Sequence, residues 1–120
     1  MLNTTRVVIA AAVTAVLSGL LTAGAASGAD DPLAKGRELA FDRKKGNCLA
    51  CHMIADGDLP GNVGPPLIAM KARYPDKAAL YDQIWDSTES NPRSTMPPFG
   101  KHGILSDEEI ELVTEYIYSL

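Results

Sequence analysis

The chain has 120 residues, with 11 basic and 15 acidic side chains for a formal net charge of −4. That balance argues against nucleic acid as a partner, because a polyphosphate backbone is bound by clustered Lys and Arg. The length suits one domain, and no internal repeat, low-complexity tract or long run of like charge follows the N-terminal segment.

The N-terminus reads MLNTTRVVIAAAVTAVLSGLLTAGAASGADDP. Arg6 precedes an apolar run from Val7 to about Leu21, and small residues of Ala-x-Ala character follow, the layout of a secretory signal peptide. The run falls short of the roughly 20 apolar residues that span a bilayer. Residues 1–29 are therefore expected to be a leader, cleaved after Ala26 or Ala29, and residues 30–120 the mature domain. Export would place the mature protein in the periplasm or otherwise outside the cytoplasm, and no membrane attachment is expected after cleavage. It keeps 10 basic and 15 acidic side chains, a balance of −5. A domain this small buries a modest fraction of its surface and is often helped by a staple or cofactor.

The first helix is predicted from DDPLAKGRELAFDRKKGN. Asp30 or Asp31 can accept bonds from the free amides of the first turn, and Pro32 suits that turn. Leu33, Gly36, Leu39 and Ala40 recur at helical spacing, and Gly46 is placed to end the helix. Gly36 sits where glycine costs about 1 kcal/mol against alanine, which points to close approach of another helix. A short helix is expected in PPLIAMKARY. A further one is expected in PDKAALYDQIWDST, with Leu80 and Ile84 on one face and Trp85 beside it. The last helix, ILSDEEIELVTEYIYSL, has Ser106 as N-cap and Glu109 three residues on, a capping box. Ile110, Val113, Tyr116 or Ile117, and Leu120 repeat on its inner face. No alternating strand pattern appears. The fold class is all-α, with three to five short helices and long loops that need something to pack on.

Between the first helix and the loops lies GNCLACHMIADGD, which holds the chain's only two cysteines, Cys48 and Cys51. A thioredoxin-like redox pair sits at a strand-to-helix junction, and no strand is predicted here. Structural zinc wants four ligands, usually from two pairs, and a second pair is missing. A disulfide from Cys48 to Cys51 would close too small a loop to stabilise much. Cys48-x-x-Cys51-His52 is instead the attachment signature of c-type haem. Each thiol forms a thioether with one porphyrin vinyl group, and His52 is directed at the iron. One covalently bound haem c would give the long loops their core, and the chain without it is expected to be largely unfolded.

For the second axial position the candidates are Met53, Met70, Met96 and His102. Met53 adjoins His52 and cannot reach the opposite haem face. Met70 reads as a core residue and His102 as a surface residue in a polar turn. Met96 lies in NPRSTMPPFGKHG, stiffened by Pro92, Pro97 and Pro98, where proline restricts the backbone without a helix. His52 and Met96 are thus the predicted iron ligands. His/Met ligation raises the reduction potential relative to two nitrogen ligands and closes the iron to small substrates, so electron transfer is expected and no catalytic residue is assigned. Pro65, in Gly64-Pro65-Pro66-Leu67, keeps a carbonyl that can accept the other ring N–H of His52. Arg73, Tyr74, Trp85 and Arg93 are possible propionate partners.

The helix with Gly36, CLACH, GPPL, TMPPFG and the aromatic-bearing terminal helix together resemble class I c-type cytochromes. In that family the first and last helices cross at close range, which implies Gly36 against Tyr116. GNCLACH, GNVGPPL, IWDSTESNP and the segment from Asn91 to Leu120 are similar to the SoxX family, the small monohaem subunits of SoxAX complexes in bacterial sulfur oxidation. The resemblance implies a heterodimer with a larger SoxA-type cytochrome. That complex joins thiosulfate oxidatively to a cysteine of the carrier SoxYZ, an L-cysteine S-thiosulfotransferase activity whose reaction centre belongs to the larger subunit. The small subunit would pass electrons to a soluble cytochrome acceptor. Alternatives are a free-standing respiratory electron carrier and a thiol–disulfide oxidoreductase using Cys48 and Cys51.

Overall fold

The computed structural model describes residues 31–120, so the expected leader, residues 1–29, lies outside the described residues. Five α-helices and no strand occur among them: α1 Pro32–Phe41, α2 Met70–Arg73, α3 Lys77–Trp85, α4 Ser87–Ser90 and α5 Asp107–Tyr118. None is long and apolar enough to cross a membrane.

Local signals account for most helix starts. Asp31, not Asp30, caps α1, its carboxylate accepting from Leu33 N at 3.1 Å. Asp76 caps α3 and Asp86 caps α4 in the same way, each at 2.9 Å. At α5 the capping box is complete, with Glu109 N donating to Ser106 Oγ at 3.2 Å and Ser106 N to Glu109 Oε2 at 3.0 Å. Three acidic residues in the first turn also favour that end of the helix dipole.

The structure departs from expectation at the end of α1. The helix stops at Phe41, capped by Asp42, five residues before Gly46. Gly46 instead folds back on the helix it was expected to end, its N–H donating to Leu39 O at 3.0 Å. The left-handed residue is Asn47, with φ 47°, a conformation that asparagine tolerates better than most residues. The chain thus turns sharply before the cysteines, and Cys48–Ala50 form a 3-10 turn.

The main helix–helix interface is α1 across α5. A Cβ on Gly36 would lie 2.0 Å from the Leu112 carbonyl oxygen and 2.9 Å from Tyr116 Cβ, so only glycine permits this crossing. Beside it Phe41 meets the Tyr116 ring edge-on at 5.9 Å. The Tyr116 hydroxyl donates to Asp56 Oδ1 at 2.8 Å, while Arg37 Nε holds the other carboxylate oxygen at 2.5 Å. Burial, then the Asp56 bond, pushes the Tyr116 hydroxyl pKa up. This cluster ties the loop after the cysteines to the helix crossing. Ala40, Ile110, Val113 and Ile54 complete the adjoining core.

Candidate haem site

The 3-10 turn places the two cysteines and the histidine together. His52 N donates to Cys48 O at 2.9 Å, so Cys48, Cys51 and His52 leave one tight turn as neighbours. The chain then runs out through Asp58 and returns alongside itself. Gly61 N donates to Leu49 O, Gly64 N to Cys51 O and Leu67 N to Met53 O, at 2.7, 2.8 and 2.9 Å. This pairing lays Gly64 on the His52 ring, where a Cβ would stand 2.4 Å from Cε1. His52 Nδ1 lies 2.7 Å from the Pro65 carbonyl oxygen. A carbonyl only accepts, so Nδ1 is the donor of this bond, and Nε2 is the ring nitrogen that remains for a metal.

On the other side, the loop 91–101 carries Met96. Its backbone is fastened to the end of α3: Phe99 N donates to Ile84 O at 3.3 Å and Gly100 N to Trp85 O at 3.1 Å. Lys101 Nζ reaches the buried Asp86 carboxylate at 2.6 Å. The Lys101 ammonium and then the Thr88 hydroxyl hold the Asp86 pKa at about 2, below its ordinary 3.8. Because the folded value is the lower one, this contribution to stability is full above about pH 4 and is lost as pH falls through about 2. Stability measured by denaturant titration is expected to decline across that window. Asp86→Asn should flatten the decline and lower stability at neutral pH; an unchanged acid slope would show that the pair does not control it.

Cys48, Cys51, His52, Pro65 and Met96 line one cavity of about 580 Å³, within the roughly 300–1,000 Å³ typical of ligand and cofactor sites. The same side chains that form the core, among them Met70, Leu80, Ile84, Val113 and Ile117, form its walls. Apolar walls, two unpaired thiols on one turn, an imidazole with a free Nε2 and a thioether fit a covalent haem. Burial pushes the Cys48 thiol up to about 11, whereas a redox nucleophile is held as thiolate. No group of metal-ligating residues suited to zinc occurs among the described residues.

Met70 lines the cavity but is a core residue, 1% exposed, with Arg73 Nη1 3.6 Å from its sulfur. Met53 is half-exposed and, like the exposed His102, lies outside the lining. Arg73, Tyr74 and Arg93 line the cavity, while Trp85 turns away and donates to Asp107 Oδ1 at 3.1 Å. The single helix expected over PDKAALYDQIWDST is broken at Asp86 into α3 and α4, and sequence reasoning assigned no role to Asp86, Ser87 or Lys101. The signal available was Asp86 preceding Ser87-Thr88-Glu89, a capping pattern.

Residues 31–117 match the family model described as cytochrome c oxidase, cbb3-type, subunit III. The chain belongs to this family of c-type cytochromes. Chloroplastic cytochrome c6 from Chlamydomonas reinhardtii is 37% identical over 118 residues, covering 91% of this chain and 67% of its own. An uncharacterized lipoprotein from Aquifex aeolicus is 39% identical over 79 residues, or 62% of this chain. This chain spans only 37% of that lipoprotein's length. In structure it is similar to SoxXA from P. pantotrophus, with TM-score 0.65 and 25% identity over 72% of this chain and 79% of that one. Family membership and the Cys48-x-x-Cys51-His52 spacing together establish one covalent haem c.

Proposed function

We propose that this cytochrome is an exported, periplasmic electron-relay subunit that pairs with a larger SoxA-type cytochrome in thiosulfate oxidation. The observation that carries the reading is the similarity to SoxXA over most of the described chain. Both cysteines belong to the attachment motif, so no thiol remains for chemistry on a sulfur substrate. The catalytic step therefore falls to the partner, and a soluble cytochrome takes the electrons onward.

Cys48 and Cys51 would tether the haem, and His52 and Met96 would hold its iron. Bound haem c supplies reversible one-electron transfer. The protein's part is to keep that centre closed and fixed. Pro65 O accepts the His52 Nδ1 proton, which sets the ring's tautomer and raises the basicity of Nε2. Apolar walls exclude water, and a Met96 thioether on the iron would favour the ferrous state.

The match to cytochrome c6 over 91% of the chain favours a second reading, a free-standing carrier. Purification from the native periplasm separates the two. The first reading expects a haem-staining band that co-purifies with a larger cytochrome and begins near residue 27 or 30. A monomer with no tight partner overturns it. The ligand assignment has its own test. Met96→Ala should abolish the near-infrared sulfur-to-iron charge-transfer band and lower the reduction potential while covalent haem stays. A band that survives this change and disappears in Met70→Ala would show that Met70 is the ligand.

A further inference from the structure

Both backbone polar groups of Met96 end on serine hydroxyls. Met96 N donates to Ser94 Oγ at 3.2 Å, and the Met96 carbonyl accepts from Ser87 Oγ at 2.7 Å. The two serines differ in standing. Ser94 belongs to the same loop, whereas Ser87 opens α4 and is fully buried. Its hydroxyl is the link between Met96 and the packed helices. One residue earlier, buried Asp86 holds Lys101. The segment from Met96 to Lys101 is therefore pinned at both ends to consecutive residues of one corner.

That arrangement leaves Met96 little freedom except in its side chain. Pro97 and Pro98 limit the backbone that follows, and Phe99 and Gly100 are fastened to the end of α3. Met96 is in no helix, so no backbone ladder sets its position. A buried hydroxyl in a protein is normally hydrogen-bonded, and among the described contacts the Ser87 hydroxyl donates to the Met96 carbonyl.

We propose that Ser87 is a positioning residue for the distal ligand: its hydroxyl, by holding the Met96 carbonyl, keeps the thioether from leaving the iron. The inference rests on Met96 being that ligand. It assigns Ser87 an effect on how easily the sulfur is displaced, which general packing would not single out.

The test uses covalently loaded wild-type protein, Ser87→Ala, Ser90→Ala and Tyr116→Phe. Each ferric protein is titrated with imidazole, with loss of the near-infrared band as readout. Ser87→Ala is expected to bind imidazole about fivefold to tenfold more tightly, the scale of one lost hydrogen bond. Its reduction potential should fall as well. Ser90→Ala removes a hydroxyl of the same short helix that bonds Gln83 and the Ser87 carbonyl. Tyr116→Phe weakens the far side of the fold by removing its bond to Asp56 Oδ1. Both controls should stay within about twofold of wild type. The proposal is overturned if Ser87→Ala titrates like wild type, or if Tyr116→Phe shifts the affinity as much. A wild-type protein without the band, or a Met96→Ala protein that keeps it, would instead sink the ligand assignment beneath the proposal. Should Ser87→Ala not load haem, proton NMR of the reduced wild-type protein decides. A slowly exchanging Ser87 hydroxyl proton close to Met96 is expected, and its absence overturns the proposal.

Discussion

Exported protein carrying Cys48→Ala and Cys51→Ala is expected to stain negative for covalent haem and to lose its cooperative unfolding transition. The reason lies in where the core is. Met70, Leu80, Ile84, Val113 and Ile117 are buried, and all of them face the cavity of about 580 Å³. A packed interior tolerates few voids. Even half of that space left unfilled would cost on the order of 7 kcal/mol at ~24 cal/mol per Å³. A domain of this size has only about 5–15 kcal/mol of stability in total. Collapse could recover part of the loss, but the loop 53–69 and the Met96 loop would then leave their anchoring contacts. Circular dichroism with denaturant titration checks the outcome. A sharp transition at the wild-type midpoint would mean that the helices hold each other without the cofactor.

The second large effect is expected at Gly36. Gly36→Val places a branched side chain where even a Cβ would meet the Leu112 carbonyl oxygen at 2.0 Å. The obstacle is backbone, which cannot rotate aside, so α1 must lift from α5. That separation would strain the Phe41–Tyr116 contact and the Tyr116–Asp56 bond together. A loss of at least about 3 kcal/mol is expected, at the upper end of overpacking effects. Ala34→Val, on the exposed side of the same helix, should cost less than about 1 kcal/mol. The difference in guanidinium midpoints of the two loaded variants measures the crossing itself. Equal midpoints would show that the helices do not meet at Gly36.

Helix starts were legible because their signals are short-range. Asp31 with Pro32 and the Ser106–Glu109 box each act within three residues. The fold class and the cofactor were legible for a similar reason: the spacing of Cys48, Cys51 and His52 is itself the chemistry. Gly46 misled because a glycine after a helix has two uses. It can end the helix by a left-handed turn, or it can let backbone approach backbone. Here it does the second, and Asn47 takes the left-handed conformation. The short helix α4 was not separated from α3 because Asp86-Ser87-Thr88-Glu89-Ser90 carries no apolar periodicity; only its cap, Asp86, marks it.

What the sequence by itself determined is therefore local: the tethering turn, the capped helices, the all-α class and a methionine held between prolines. The tertiary structure decided what meets what. It laid Gly64 on the His52 ring, brought Pro65 O to 2.7 Å from Nδ1 across 13 residues, and set Ser87 under the Met96 carbonyl. Periodicity and capping reach only a turn or so along the chain. Contacts between loops depend on how the whole chain closes around one cavity, and that closure is a property of the packed fold.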